Sequence, residues 1–360
     1  MMDFTGNSNS IYPDLLKLIR NEVPCALALI TGTTGSAPQV PGCSAVIGAT
    51  GLLTGTVGGG MVEMAVIRSA KKQLEEKQSQ YFQFNLDNDS SLAEEAICGG
   101  NMNILVDATP EKHAGIFELI CHSLRNRKHG VLITEITYGS FPGIQIFRHW
   151  YDGCTDVIAD RPFGSVAEEM FKSRKSGEFR EIMAEQPQEG TKTMRLLETI
   201  VPPQQLIIAG AGHVGKAVSH LGKLLGFEVT VWDDREEYAN NEALPDAATV
   251  LTGPFHEASA KITISHDTFI VIVTRGHKND AEVLKKWISS EAAYIGMIGS
   301  KTKIARVRDN LILNRWATGE QWKKIHSPIG LPIGSKTVQE IAVSIAAQLV
   351  QERYRIGVNG

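Results

Sequence analysis

The chain is 360 residues long, 42% hydrophobic and 21% charged, enough for two globular domains and too apolar for an intrinsically disordered chain. Its net charge of −4 at pH 7 gives no electrostatic footprint for nucleic acid or for an anionic membrane. The opening MMDFTGNSNS lacks a basic region followed by an apolar run, and no stretch nears the roughly eighteen apolar residues of a spanning helix, so a cytoplasmic protein is expected.

In chain order, the pattern predicts a helix near Tyr12 to Arg20, then strands at CALALITG and CSAVIG joined by the loop TTGSAPQVPG. Gly35 and Ser36 in that loop, with Thr33, Thr34 and Pro38, make a polar lip for a ligand, or plain turn chemistry. A third strand, LLTGTV, runs into Gly58, Gly59 and Gly60 ahead of the helical pattern MVEMAVIRSAKKQLEEKQ. Three glycines before a helix suit a cradle of backbone N–H groups for a phosphate or carboxylate, and suit a tight turn equally. Glu63 in the first turn fits helix capping better than catalysis. Strands are expected at YFQF, NMNILVDA, GVLITEIT and IQIFRHW, with a helix near Ile116 to Arg127. Cys25, Cys43, Cys98, Cys121 and Cys154 contain no CxxC pair, which argues against a disulfide framework, structural zinc and an iron–sulfur cluster. Among them Cys98, in ICGG, sits on accessible, bendable backbone where a soft metal or sulfur could reach it. A Pro-Pro pair at Pro202-Pro203 marks the boundary, giving halves 1–200 and 201–360.

The second half alternates strands LIIAG, VTVWD, ATVLTG, TFIVIVT and AAYIGMIG with helical stretches, which predicts a parallel sheet covered on both faces. The expected fold class is α/β, a C-terminal Rossmann-like parallel sheet behind an N-terminal mixed α/β domain. In LIIAGAGHVG, Gly210 permits the tight turn, Gly212 the approach of a pyrophosphate and Gly215 the close packing of helix on sheet. Asp233 closes the second strand about twenty residues later, where a carboxylate accepts from a ribose 2′-hydroxyl and favours NAD over NADP. Ligands of such sheets sit at strand C-termini, which adds Arg235, Thr274, His277 and Ser300 to the candidates. His213 in the turn and His277 are possible acid–base groups. Their spacing, with His326, fits no zinc site, and a structural histidine is the default for each.

Taken together, TTGSAPQVPG, GTVGGGMVE, ICGG, IIAGAGHVG, VTVWDDRE, TRGHKND, YIGMIGSKTK and HSPIGLPIGSKTVQEIAVSI closely resemble the XdhC/CoxI family of xanthine dehydrogenase accessory proteins, over nearly the whole chain. The resemblance implies a maturation factor, not the hydroxylase itself. Such a factor binds molybdenum cofactor (molybdopterin), protects it while a cysteine desulfurase adds the terminal sulfur, and assists insertion into a xanthine dehydrogenase-type molybdenum hydroxylase. It would place Gly35, Ser36 and the glycine cradle near the cofactor phosphate and Cys98 at the metal. Where many members read GGCVE this chain has Met61, so it must manage without that thiol or use Cys98. The Rossmann half is expected to bind NAD(P) or the pterin phosphate, and a homodimer is a further expectation. The rival readings are an NAD(P)-dependent oxidoreductase, with His213 or His277 as acid–base, and a nucleotide-sensing Rossmann protein.

Overall fold

The computed structural model describes residues 10–35, 37–85, 100–139, 143–154, 158, 161–175, 177–183, 191–257 and 261–359. The chain divides into two compact units, residues 1–202 and 203–360.

The first unit begins with helix α1 (Tyr12–Arg20), whose apolar face buries Tyr12, Leu15, Leu16 and Leu18. Strands β1 (Cys25–Gly35), β2 (Ser44–Gly48) and β3 (Gly51–Gly55) follow. Helix α2 (Gly60–Glu76) then leads to β4 (Gln80–Asn85) and β5 (Gly100–Asp107). These five strands form one antiparallel sheet in the order β3-β2-β1-β5-β4. After α3 (Ala114–Arg125), strands β6 (Gly130–Gly139) and β7 (Ile144–Tyr151), helix α4 (Gly164–Ser173), and strands β8 (Phe179–Met183) and β9 (Thr191–Ile200) build a second antiparallel sheet, β7-β6-β9-β8.

Burial explains the layering. The first seven residues of β1 are all buried because this central strand is covered on both faces. Ala26, Ala28 and Ile30 pack under Val62, Val66 and Ala70 of α2, while Leu29 and Leu105 meet Ile136, Met194 and Leu196 of the second sheet. On the far side of the second sheet, Ile133 and Leu197 pack on Phe163, Ala167 and Met170 at α4. The result is an α–β–β–α sandwich with α1 and α3 packed together at Leu15, Phe117 and Ile120. A bulge between Ile30 and Gly32 shifts the pairing of β1 with β5, so that β1 ends with Gly35 opposite Gly100.

The second unit is a five-stranded parallel sheet in the order β12-β11-β10-β13-β14. Its strands are β10 (Gln205–Ala209), β11 (Glu228–Asp233), β12 (Thr249–Thr252), β13 (Thr268–Ile272) and β14 (Tyr294–Met297). Helix α5 (His213–Leu224) and the long C-terminal helix α9 (Val338–Asn359) cover one face through Val218, Ala342, Ile345 and Leu349. Helices α6 (His277–Trp287) and α7 (Lys301–Leu313) cover the other through Val283, Leu284, Val307 and Leu311, with the short α8 (Gly319–Lys323) beyond them. Strand order reverses between β10 and β13, which makes their C-terminal ends the switch point where ligands of such sheets bind. Among the described residues no helix is long and apolar enough to cross a membrane.

Candidate functional site

In the first unit the bulged end of β1 gathers several sequence candidates. Gly35 pairs with Gly100, and Asn101 Nδ2 donates to Thr34 Oγ1 at 3.3 Å, so the strand following ICGG arrives beside the TTG lip. A Cβ on Gly58 would lie 3.4 Å from Pro38 Cγ, which puts the glycine run against the same loop. Gly58 and Gly60 have φ of +144° and +57°, and these are the positions that need glycine. Gly59 is extended at φ −141°, which any residue adopts, and is the N-cap of α2 with no side-chain capping bond. Among the described residues nothing lies within 4 Å of a Cβ built on Gly59 or Gly60, so a side chain at either position would meet open space. The single Thr56 hydroxyl proton lies between Gly58 O at 2.7 Å and Glu63 Oε2 at 2.9 Å from Oγ1, and the hydroxyl accepts from Gly58 N at 3.2 Å, which fixes the turn from within. Ser36 and Cys98 lie outside the described residues, as does the side chain of Met61.

The described thiols separate by environment. Burial pushes Cys25 up to about 12 and raises Cys121 as well, which makes both inert. Cys43 is half-buried, its Sγ donating to Gln39 Oε1 at 3.3 Å, and Cys154 is exposed. Among the described residues no three His, Cys, Asp or Glu side chains converge as a metal-binding group.

In the second unit the glycine turn has the geometry its sequence predicts. Gly210 has φ +116° and lies on the backbone of Val273 and Thr274, and a Cβ on Gly215 would strike Gly210 O. Gly212 caps α5 with no side-chain bond and open space above it, and His213 is exposed beside it. Gly276 caps α6 in the same way, with Arg275, His277 and Lys278 exposed around it. Ser300 caps α7 by accepting from Lys303 N at 3.3 Å. Thr274 is buried and donates to Asp280 Oδ1 at 2.5 Å, with Gly276 O 3.1 Å from the same hydroxyl oxygen. Asp280 is fully buried and ion-paired with Lys303, whose side chain remains 24% exposed. Burial pushes the Asp280 carboxyl up against the pull of Lys303 and Thr274.

Asp233 departs from the role its position suggests. Its carboxylate is sealed inside the protein: Oδ1 accepts from Arg235 N at 3.0 Å and Arg235 Nε at 2.8 Å, and Oδ2 from Ala211 N at 2.7 Å and Arg235 Nη2 at 3.0 Å. All four lone-pair positions of the ion are taken, so none is left for ribose hydroxyls. Burial pushes this carboxyl up, but the bonds from Arg235 and Ala211 outweigh it and hold it below the usual carboxylate range. The Arg235 guanidinium lies 3.9 Å over the Tyr238 ring. Asn279 Nδ2 of α6 donates to Asp234 Oδ2 at 3.2 Å, tying the end of β11 to the start of α6 across the end of β10. Sequence reasoning names both Asp233 and Arg235 as candidates and misses that they pair with each other. The signal is there, since an arginine two residues after a strand-closing aspartate can fold back onto it.

Comparison with known proteins bears on both units. A family model described as XdhC Rossmann domain matches residues 206–349, and one described as XdhC and CoxI family matches residues 18–85. Escherichia coli (strain K12) YqeB is 24% identical over 343 residues, 95% of this chain and 46% of that protein, so the chain spans about half the length of that relative. A Bacillus subtilis (strain 168) protein, described as a probable xanthine dehydrogenase subunit, is 24% identical over 347 residues, 95% of this chain and 97% of the relative. A crystal structure described as a xanthine dehydrogenase from Bacillus halodurans superposes with a TM-score of 0.71 at 22% identity, covering 96% of each chain, which shows a shared fold.

Proposed function

We propose, since this chain belongs to the XdhC and CoxI family, that it is an accessory protein of a xanthine dehydrogenase-type molybdenum hydroxylase, holding molybdenum cofactor for sulfuration by a cysteine desulfurase and for delivery. The observation that carries the reading is the glycine run at the start of α2, with no side-chain cap, open space above Gly59 and Gly60, and Gly58 against Pro38 of the TTGSAPQVPG loop. The uncapped N-terminus of a helix suits an anionic group, and the cofactor's pterin carries a phosphate. Gly58, Gly59 and Gly60 would hold that phosphate, with Gly35 and Ser36 at the lip and Cys98 as the thiol for the metal. The bound group would supply the molybdenum centre that the recipient enzyme uses. This chain's residues would bind it, exclude water and position it.

A second binding reading concerns the other unit, where Gly210 and Gly215 shape a turn able to take a nucleotide or pterin phosphate over Gly212. The oxidoreductase reading would need His213 or His277 to act on such a ligand.

Co-expression with cofactor biosynthesis, followed by gel filtration with molybdenum and pterin analysis, tests the proposal. Stoichiometric molybdenum in the parent protein is expected, with loss in Gly59→Val, which fills the approach path without backbone strain, and in Cys98→Ser. A parent protein free of both metal and pterin would overturn the reading. Full retention by a well-folded Gly59→Val variant would reduce the glycine run to a turn.

A further inference from the structure

Helix α2 carries a polar residue on its core stripe. Val62, Val66 and Ala70 pack on the first sheet, and Gln73, next along the same stripe, is only 4% exposed. Among the described residues its side-chain amide makes no hydrogen bond. A buried amide is destabilising unless something pairs with it, and on this stripe an apolar side chain would do better. Gln73 is not sealed in the core, however. It lines a cavity of about 480 Å³ within the first unit, a size that suits a small molecule.

The cavity lies at β4, the last strand of its sheet, and is lined by α2, the start of β4 and the ends of β6 and β7. Tyr81 and Tyr138 both line it, with rings 6.0 Å apart and within 7° of parallel. The Tyr81 hydroxyl is engaged with Thr31 Oγ1 at 3.0 Å, so Tyr81 offers its ring. Ser79 is satisfied as well, since its hydroxyl donates to Asp107 Oδ1 and accepts from Ala108 N. The exposed charges Lys72 and Glu76 face each other at 3.8 Å, which leaves no net charge to favour an ionic ligand. What remains is one carboxamide with a donor and an acceptor side by side, and a flat aromatic wall. A neutral planar ring lactam answers both. Its adjacent N–H and C=O make the paired bonds by which a glutamine reads a base edge, and its π-face stacks on tyrosine. The glycine run lies thirteen helical residues from Gln73, about 20 Å at 1.5 Å per residue, so this cavity is separate from the anion site proposed above.

We propose that this cavity is a second ligand site of the first unit, taking a neutral oxopurine whose N–H and C=O edge pairs with Gln73 and whose ring stacks on the wall formed by Tyr81 and Tyr138. The ring lactam and its stacking stand on the cavity alone. The narrowing to purines rests on the accessory reading, in which the partner is a hydroxylase of the xanthine dehydrogenase type and xanthine is itself an oxopurine. Occupancy then reports to the accessory protein that substrate for its partner is present.

Calorimetry on the full chain tests it with hypoxanthine, 1-methylhypoxanthine, neopterin and glucose as probes. Hypoxanthine should bind with a Kd below about 1 mM, and 1-methylhypoxanthine, which lacks the ring N–H of that edge, at least about tenfold more weakly. Gln73→Leu should erase this preference and at the same time raise Tm, because it replaces an unpaired amide by an apolar group on an apolar stripe. Tyr138→Leu is the companion. It should weaken both purines by a similar factor and keep the preference, since it removes stacking and not the edge contact. No hypoxanthine binding at 1 mM, a preference that survives Gln73→Leu, or a Gln73→Leu protein that melts below the parent would each overturn the proposal. Tighter binding of glucose or of neopterin than of hypoxanthine would do the same. Failure here is separable from failure of the accessory reading. Molybdenum carried by a protein blind to hypoxanthine sinks only this inference, whereas hypoxanthine bound through Gln73 in a protein that never carries molybdenum sinks only the other.

Discussion

Two strand-closing aspartates, one in each unit, use the same local device to different ends. Asp107 at the end of β5 accepts from Thr109 N at 2.9 Å, and Asp233 at the end of β11 accepts from Arg235 N at 3.0 Å, so each bends the chain two residues on. Each is also held by an arginine. For Asp107 it is Arg148, 41 residues away on a strand of the other sheet, at 2.6 Å with both side chains no more than 2% exposed. For Asp233 it is Arg235 itself, 19% exposed on a loop. The first pair joins two sheets and is closed to solvent. The second stiffens a loop at the C-terminal edge of the parallel sheet. Sequence separation between the partners, more than the chemistry of the pair, decides which of these an Asp–Arg contact does.

The comparison breaks most sharply at Arg148. Arg148→Met leaves Asp107 buried without its counter-charge, and should destabilise the first unit by about 3 to 5 kcal/mol in urea unfolding. Hydrogen exchange should place the loss in β5 and β7 while the second unit keeps its protection. A loss confined to surface amides would show that the pair does not join the sheets.

Next in size is a pH effect belonging to the sealed region. Glu198 accepts from Tyr12 OH at 2.7 Å, and burial pushes its carboxyl from 4.5 up to about 7. A carboxyl raised on folding favours the native state below its unfolded value, and that contribution is lost as pH rises through the folded value. Glu198→Gln should therefore gain on the parent by about 2 to 3 kcal/mol between pH 4.5 and pH 8, read from paired unfolding curves. His113 works against this in the parent. Burial pushes it down to about 4, so its contribution is fully present above pH 6.5 and is lost as pH falls from there through about 4. The parent's own profile should thus be flatter than that of Glu198→Gln or of a His113→Asn variant, and a steep parent profile would refute the assignment.

A smaller effect is expected at the other aspartate. Asp233→Asn keeps the shape but turns an amide N–H toward Arg235, costing about 1.5 to 3 kcal/mol in the second unit. Asp233 lies below its ordinary value of 3.8, so its contribution is present above that value and is lost as pH falls through the folded one. The difference between variant and parent should therefore shrink in acid. The smallest effect sharpens the contrast: Arg275→Gln should shift stability by less than about 0.5 kcal/mol, since the side chain is exposed.

Legibility in the sequence follows burial pattern. The strands LIIAG and TFIVI read plainly because a parallel strand covered on both faces is a continuous apolar run. The glycine turn reads plainly because its spacing encodes close packing. The division of the first half into two stacked sheets does not, because β1 pairs with β5 and β6 with β9 across long separations that no local pattern records. Helix α4 and strand β8 escape sequence reasoning, since each is short and shows its apolar side only against partners elsewhere, such as Ile133 and Leu197. The site is legible as a set of residue types and not as bonds. Asp233 announces a carboxylate at a strand end, and only the folded structure shows that Arg235 and Ala211 fill it.

The bulge between Ile30 and Gly32 governs what the family can change. Before it, β1 is core strand; beyond it, the odd residue has reversed which face each later side chain presents, so that Thr33 and Thr34 take the faces they do because one residue is surplus. Substitutions along this stretch are then tolerable so long as its length holds, whereas deleting a single residue would return β1 to regular pairing and turn the lip inside out. Insertions and deletions in relatives should accordingly collect in the turn between β2 and β3 and avoid residues 30–35, making chain length, not residue identity, the inherited quantity at this edge.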